Sequence, residues 1–319
     1  MERKRQQKYA MGYFALQGLA VWGWWVWLWA QPSARQHFLP PQAAEHWLLA
    51  FALPDLMLAG LGPIVAALAL WRAMRSAAAL TWLVAGTMSY ATLYCLALSW
   101  LTDAAWLSVL LMLPAAGLSL LFAAIATQPD EAFFRRAAAA SPLRNVAKTA
   151  GQIVIFWTLF LFCLPALFQH IESKLNWPSF GFTGHRAIAS SLFALFSLLG
   201  LWSGFTMSRL GGGTPLPIDG TNQLVAHGPY AFLRNPMVVA GLGQGFAVGL
   251  YRGSWLVLAY VVVGGILWNE IARPLEETEM QQKFGTAYQR YCTEVKCWVP
   301  RLTKLESANA INDEQDGDE

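Results

Sequence analysis

Residues 235–270, "NPMVVAGLGQGFAVGLYRGSWLVLAYVVVGGILWNE", are two apolar runs joined by "YRGSW". The first run holds only about 14 apolar residues, whereas a bilayer core about 30 Å thick calls for roughly 20. Taken alone it reads as a re-entrant or interfacial element. A second apolar run follows at once, so a tight helical hairpin is the better expectation. The first arm carries Gly241, Gly243, Gly245 and Gly249 and the second Gly264 and Gly265. Small residues in membrane helices let neighbouring backbones approach closely. They also leave room for a ligand beside the backbone, and the pattern alone does not separate the two.

The same apolar character extends outward. Of 319 residues, 56% are hydrophobic and 13% charged, against about 25% charged in soluble domains. This composition excludes an ordinary soluble domain and predicts an all-α multipass transmembrane bundle. Eight spans are expected, at Tyr9–Ala30, His46–Arg72, Ala77–Leu101, Ala105–Ala126, Gly151–His170, Ala187–Met207, Met237–Leu250 and Trp255–Pro274. With that topology the 22 Lys and Arg residues divide 18 to 4 in favour of the side that holds both termini. Positive charge concentrates in the cytoplasm, so both termini are expected there. "MERKRQQK" and the long Trp-rich run after it read as a signal anchor rather than a cleaved signal peptide. The clustered indoles Trp22 to Trp29 suit the headgroup layer at the far end of the first span, a buried aromatic stripe being the alternative.

Residues 1–150 form an N-terminal region of four spans with little chemistry of its own. Its exception is Asp55 in "ALPDLMLAG". A carboxyl within a span is by default a functional candidate, although one that follows Pro54 also serves to satisfy backbone groups freed by a kink. The connection Gln128–Lys148 is basic and suited to an anionic leaflet surface. Residues 305–319, with six acids and no base, read as a disordered tail. The four cysteines and five histidines show neither a disulfide framework nor metal-ligand spacing, so no metal is expected. No nucleic-acid partner is expected.

Polar chemistry gathers in the C-terminal half. The Gly- and Pro-rich stretch Gly211–Met237 reads as a loop with fixed turns. It ends in Arg234, Asn235 and Pro236, with the proline in place to start a helix. Free N–H groups at that helix start favour an anion beside Arg234. In "WNEIARPLEETEM", Glu270, Arg273 and Glu277 fall on one face of an undisturbed helix. At the end of a membrane-exit helix such charges are commonly only solvated. Here Glu276 and Glu277 stand at the mouth of the hairpin opposite Arg234, and together they suit a zwitterion: carboxylate at the arginine, ammonium at the glutamates.

"LVAHGPYAFLRNPM" (Leu224–Met237) and "EETEMQQKFGTAYQRYCTEVKCWVPR" (Glu276–Arg301), in this order around the hairpin, resemble the isoprenylcysteine carboxyl methyltransferase and phospholipid methyltransferase superfamily of membrane enzymes. The resemblance implies a methyltransferase-like membrane domain over residues 151–304, with a cytoplasmic pocket for S-adenosylmethionine and a lipophilic acceptor arriving from the bilayer lipids. It implies Arg234 and Asn235 as catalytic residues. Tyr230, Arg234, Pro236, Gly241, Gly243, Glu276, Glu277, Tyr288 and Tyr291 are the implied cofactor contacts. Many members carry histidine where this chain has Asn235, and asparagine hydrogen-bonds without titrating. Two competing readings are a membrane reductase that binds NADPH in similar C-terminal helices and a noncatalytic lipid-binding protein.

Overall fold

The computed structural model describes residues 2–127, 142–211 and 223–301. The greater part of the basic connection, the middle of the Gly- and Pro-rich loop and the acidic tail lie outside the described residues. No strand occurs among the described residues, and the fold is all-α. Eight long helices follow the expected spans: α1 (Glu2–Ala30), α2 (Glu45–Trp71), α3 (Ala77–Thr102), α4 (Trp106–Ala126), α5 (Arg144–Lys174), α6 (His185–Leu210), α7 (Pro236–Arg252) and α8 (Trp255–Glu294). Among the described residues, six of these, all but α1 and α7, are long and apolar enough to cross a membrane. Large apolar side chains stand exposed along them, among them Leu93, Leu101, Ile155 and Leu198. Surfaces of this kind are what a bilayer covers, and the chain is an integral membrane protein.

The backbone divides into two compact units, one of residues 1–130 with 173–177 and the other of residues 131–172 with 178–319. In the first, α1 packs on α2 and α4, and α3 packs on α4 and α2. Interhelical hydrogen bonds support the packing. The Tyr13 hydroxyl donates to the Ala115 carbonyl at 2.7 Å, and the Thr92 hydroxyl, 2.7 Å from the Met88 carbonyl of its own helix, also reaches the Met112 carbonyl at 3.1 Å. The indole cluster of α1 divides by exposure. Trp22, Trp27 and Trp29 are partly exposed, whereas Trp25 is fully buried with Leu28, Ala34, Phe38 and Leu48. Asp55 lies beside the Trp25 indole.

Three helices contain a widened π-type turn: Asp55–Leu61 in α2, Trp157–Cys163 in α5 and Trp268–Ala272 in α8. Each ends two residues before a proline, Pro63, Pro165 and Pro274 respectively. A proline ring inside a helix clashes with the carbonyl four residues back and offers no N–H to it. Widening the preceding turn relieves that clash and lets the helix continue. Pro114 sits inside α4 without such a turn.

In the second unit α7 packs on α6 and α8, and α5 packs on α6. The hairpin between α7 and α8 is fixed by caps. Gly253 ends α7 in the left-handed region, at φ 64°. The Ser254 hydroxyl accepts from Val257 N at 3.1 Å, and the buried Glu172 carboxylate accepts from Leu256 N at 2.7 Å. Phe180 N donates to the Gly253 carbonyl at 3.1 Å, so the loop before α6 clamps the turn. A Cβ on Gly253 would lie 2.1 Å from the Phe180 carbonyl oxygen. Gly253→Ala is therefore expected to lower stability by about 1–3 kcal/mol through strain and overpacking, checked by thermal unfolding in detergent.

Candidate functional site

The described end of the loop leading into α7 is held by its own turn and by what packs on it. Gly228 to Ala231 form one tight turn. Leu224, Ala226 and Ala231 from this loop bury themselves with Ala287, Tyr288, Tyr291 and Val295 from the far end of α8 and the residue after it. The Tyr291 hydroxyl donates to the Tyr230 carbonyl at 2.8 Å. The closing segment adds two backbone bonds, from Arg234 N to the Lys296 carbonyl (3.0 Å) and from Arg301 N to the Phe232 carbonyl (2.9 Å).

For α8 to make these contacts it must be long and bent. Its 40 residues rise about 60 Å if straight, at about 1.5 Å per residue, roughly twice a bilayer core. Gly285 breaks the helix at φ 49°, ψ −124°, a conformation costly for residues with a Cβ. The break allows the Tyr288–Tyr291 end to return onto the loop.

Four charged or polar side chains then converge. Arg234 Nη2 donates to Glu277 Oε1 at 2.8 Å, and Asn235 Nδ2 donates to Glu276 Oε2 at 3.2 Å. The Arg234 side chain is 15% exposed, so this pair is better shielded than a surface ion pair. Tyr230 is buried, and its hydroxyl has no hydrogen-bond partner among the described residues. Burial, and then the negative charge of Glu276, push the Tyr230 phenol above its ordinary pKa. It therefore stays protonated as an unspent donor facing an acidic neighbour. Pro236 opens α7, and the Asn235 side chain does not cap that helix because it is directed at Glu276.

The anticipated residues separate into two groups. Tyr230, Arg234, Asn235, Pro236, Glu276, Glu277, Tyr288 and Tyr291 come together, with Tyr288 close to Arg234, Glu277 and Cys292. Tyr291 uses its hydroxyl as a strut for the loop. Gly241 and Gly243 lie deeper in α7. The Phe196 ring would lie 2.4 Å from a Cβ on Gly243, and Phe156 lies 3.8 Å from the equivalent point on Gly241. At Gly243 the absent side chain admits a helix neighbour.

One expectation needs correction. Glu270 does not share a working face with Arg273 and Glu277; it is exposed and accepts from Asn269 Nδ2 at 2.8 Å. The π-type turn Trp268–Ala272 adds backbone to one turn, and Asn269 takes the place expected for Glu270. Arg273 Nη1 donates to Asn269 Oδ1 at 2.8 Å, while Arg273 Nε lies 3.2 Å from Glu277 Oε1. Trp298 Nε1 also donates to Asn269 Oδ1, at 2.9 Å. Cys297 is buried beside Arg234 and Arg273; burial raises its thiol pKa against the pull of both cations. Asn269, Cys297 and Trp298 were not singled out in the sequence as site residues; the turn within α8 sets Asn269 beside Arg273, and the return of the closing segment brings Cys297 and Trp298 here. All four cysteines are free, and no metal-binding group of side chains occurs among the described residues.

Removing the strut tests this construction. Tyr291→Phe leaves the Tyr230 carbonyl without its donor and is expected to lower stability by about 1–3 kcal/mol, measured by thermal unfolding, while helical content by circular dichroism is unchanged.

Residues 185–287 match the phospholipid methyltransferase family, PEMT. The match begins with the first residue of α6 and covers α7, the hairpin and α8 up to Ala287. It agrees with the resemblance carried by the two motifs and supports a membrane methyltransferase acting on lipid-related substrates. No curated protein and no solved structure matches the chain.

Proposed function

We propose that this protein is an S-adenosylmethionine-dependent integral membrane methyltransferase acting on a lipophilic acceptor. Residues 151–304 would form the methyltransferase domain, and the site faces the cytoplasm, where the charge bias places both termini. The observation that carries this reading is the meeting of Arg234 with Glu277 and of Asn235 with Glu276, the latter carboxyl also acting on the buried Tyr230 phenol. A cation, two carboxylates and a free donor fit the zwitterionic amino-acid end of the methyl donor. The matched family and the two motifs point the same way.

The donor, when bound, supplies an activated methyl group on a sulfonium. Arg234 binds the carboxylate of the amino-acid end, with the open N–H groups of α7 adding to the attraction. Glu276 takes the ammonium, held in orientation by the Asn235 amide. Asn235 cannot exchange a proton, so its role here is positional. The Tyr230 hydroxyl donates to an acceptor atom of the ligand. Positioning and water exclusion are the main tasks left to the protein, and orientation of this kind can contribute about 7–11 kcal/mol. The acceptor reaches the site from the bilayer side.

Titration of the detergent-purified protein with S-adenosylmethionine and S-adenosylhomocysteine tests this. Wild type is expected to bind both. Arg234→Ala should weaken S-adenosylhomocysteine by about 30-fold or more, as truncating one partner of a buried charged pair costs about 2–5 kcal/mol. Glu276→Gln should weaken it in the same direction. Absence of binding to wild type, or binding of NADPH in its place, overturns the proposal.

A further inference from the structure

We infer that Arg273, Asn269 and Trp298 form a positioning relay, which holds Glu277 in place when an anionic group occupies Arg234. The inference rests on the reading of this site as one that binds S-adenosylmethionine, and it names residues that reading does not use.

Glu277 Oε1 lies between two cations, 2.8 Å from Arg234 Nη2 and 3.2 Å from Arg273 Nε. The two contacts differ in kind. The first is an aligned hydrogen bond, whereas the Arg273 Nε–H is buried and makes none among the described residues. A ligand carboxylate at Arg234 competes with Glu277 for the same guanidinium. A carboxylate that loses its cation in a sheltered site is strongly disfavoured. The unspent Arg273 N–H is the donor within reach, and a small rotation of Glu277 aligns the two.

Arg273 can serve in this way because its other end is fixed. Its Nη1 donates to Asn269 Oδ1, and the same oxygen accepts from Trp298 Nε1. The Asn269 amide nitrogen donates to Glu270. A flip of this amide would place its nitrogen against two donors and its oxygen against a carboxylate, losing all three bonds. Trp298 is itself braced edge-on against Trp268, with ring centroids 5.4 Å apart. Trp298 also belongs to the closing segment whose Lys296 carbonyl accepts from Arg234 N. The relay therefore connects both arginines to one stretch of backbone.

The relay acts on the charged end of the ligand, which gives a readout that general loss of structure would not produce. The experiment uses the full chain in detergent. Arg273→Gln removes the cation, and Trp298→Phe removes only the indole N–H while keeping a ring against Trp268. Affinities are measured for S-adenosylhomocysteine and for 5′-methylthioadenosine, which lacks the amino-acid end. Arg273→Gln is expected to weaken S-adenosylhomocysteine about tenfold and Trp298→Phe about threefold, with 5′-methylthioadenosine unchanged in both. Equal weakening of the two ligands, or no change in either, overturns the relay while leaving the proposed function standing. Failure of wild type to bind S-adenosylhomocysteine overturns the proposed function and the relay with it.

Discussion

The hydrogen bond between the Arg234 guanidinium and the Glu277 carboxylate joins residues 43 positions apart and ties the loop before α7 to α8. Charge on both partners and partial burial make it stronger than a neutral bond. It does not stand alone. The Tyr288–Tyr291 end of α8 packs on residues 224–231 of that loop, and the closing segment binds its backbone. The charged pair, the buried tyrosines and the two backbone bonds form one construction. Its geometry requires that α8 run well past the thickness of a bilayer and bend at Gly285.

The prolines explain how the helices of this bundle carry their functional groups. Three of them follow a widened turn, and in α8 the consequence is chemical. The turn before Pro274 shifts the side-chain register, so that Asn269 joins Arg273 in place of Glu270. An undisturbed helix would present Glu270, Arg273 and Glu277 together. The structure instead sets Glu276 against Asn235 and Glu277 against two arginines. The adjacent glutamates thus have different partners: Glu276 meets neutral donors, while Glu277 sits between cations.

Much of the site was legible because it sits in two short motifs whose residue types are chemically demanding. Arg234, Asn235, Glu276 and Glu277 were expected to meet, and they do so at hydrogen-bonding distance. The hairpin was legible from the turn residues between its apolar arms. The glycines were not. Gly243 admits the Phe196 ring and Gly253 lies against the Phe180 carbonyl, and neither partner is near in sequence. Trp298 sat within the closing motif and Asn269 at helical spacing from Arg273, but their meeting with each other depends on the path of residues 295–301.

Local rules therefore determined the helices, their order and the turn between α7 and α8. Apolar run length, proline at a helix start and glycine at a helix end act within a few residues of chain. Tertiary structure decided which carboxylate meets which cation, which indole of α1 is buried and which glycine serves packing. Those outcomes depend on where a widened turn rotates a helix and where a distant segment returns, and neither is encoded in the spacing of neighbouring residues.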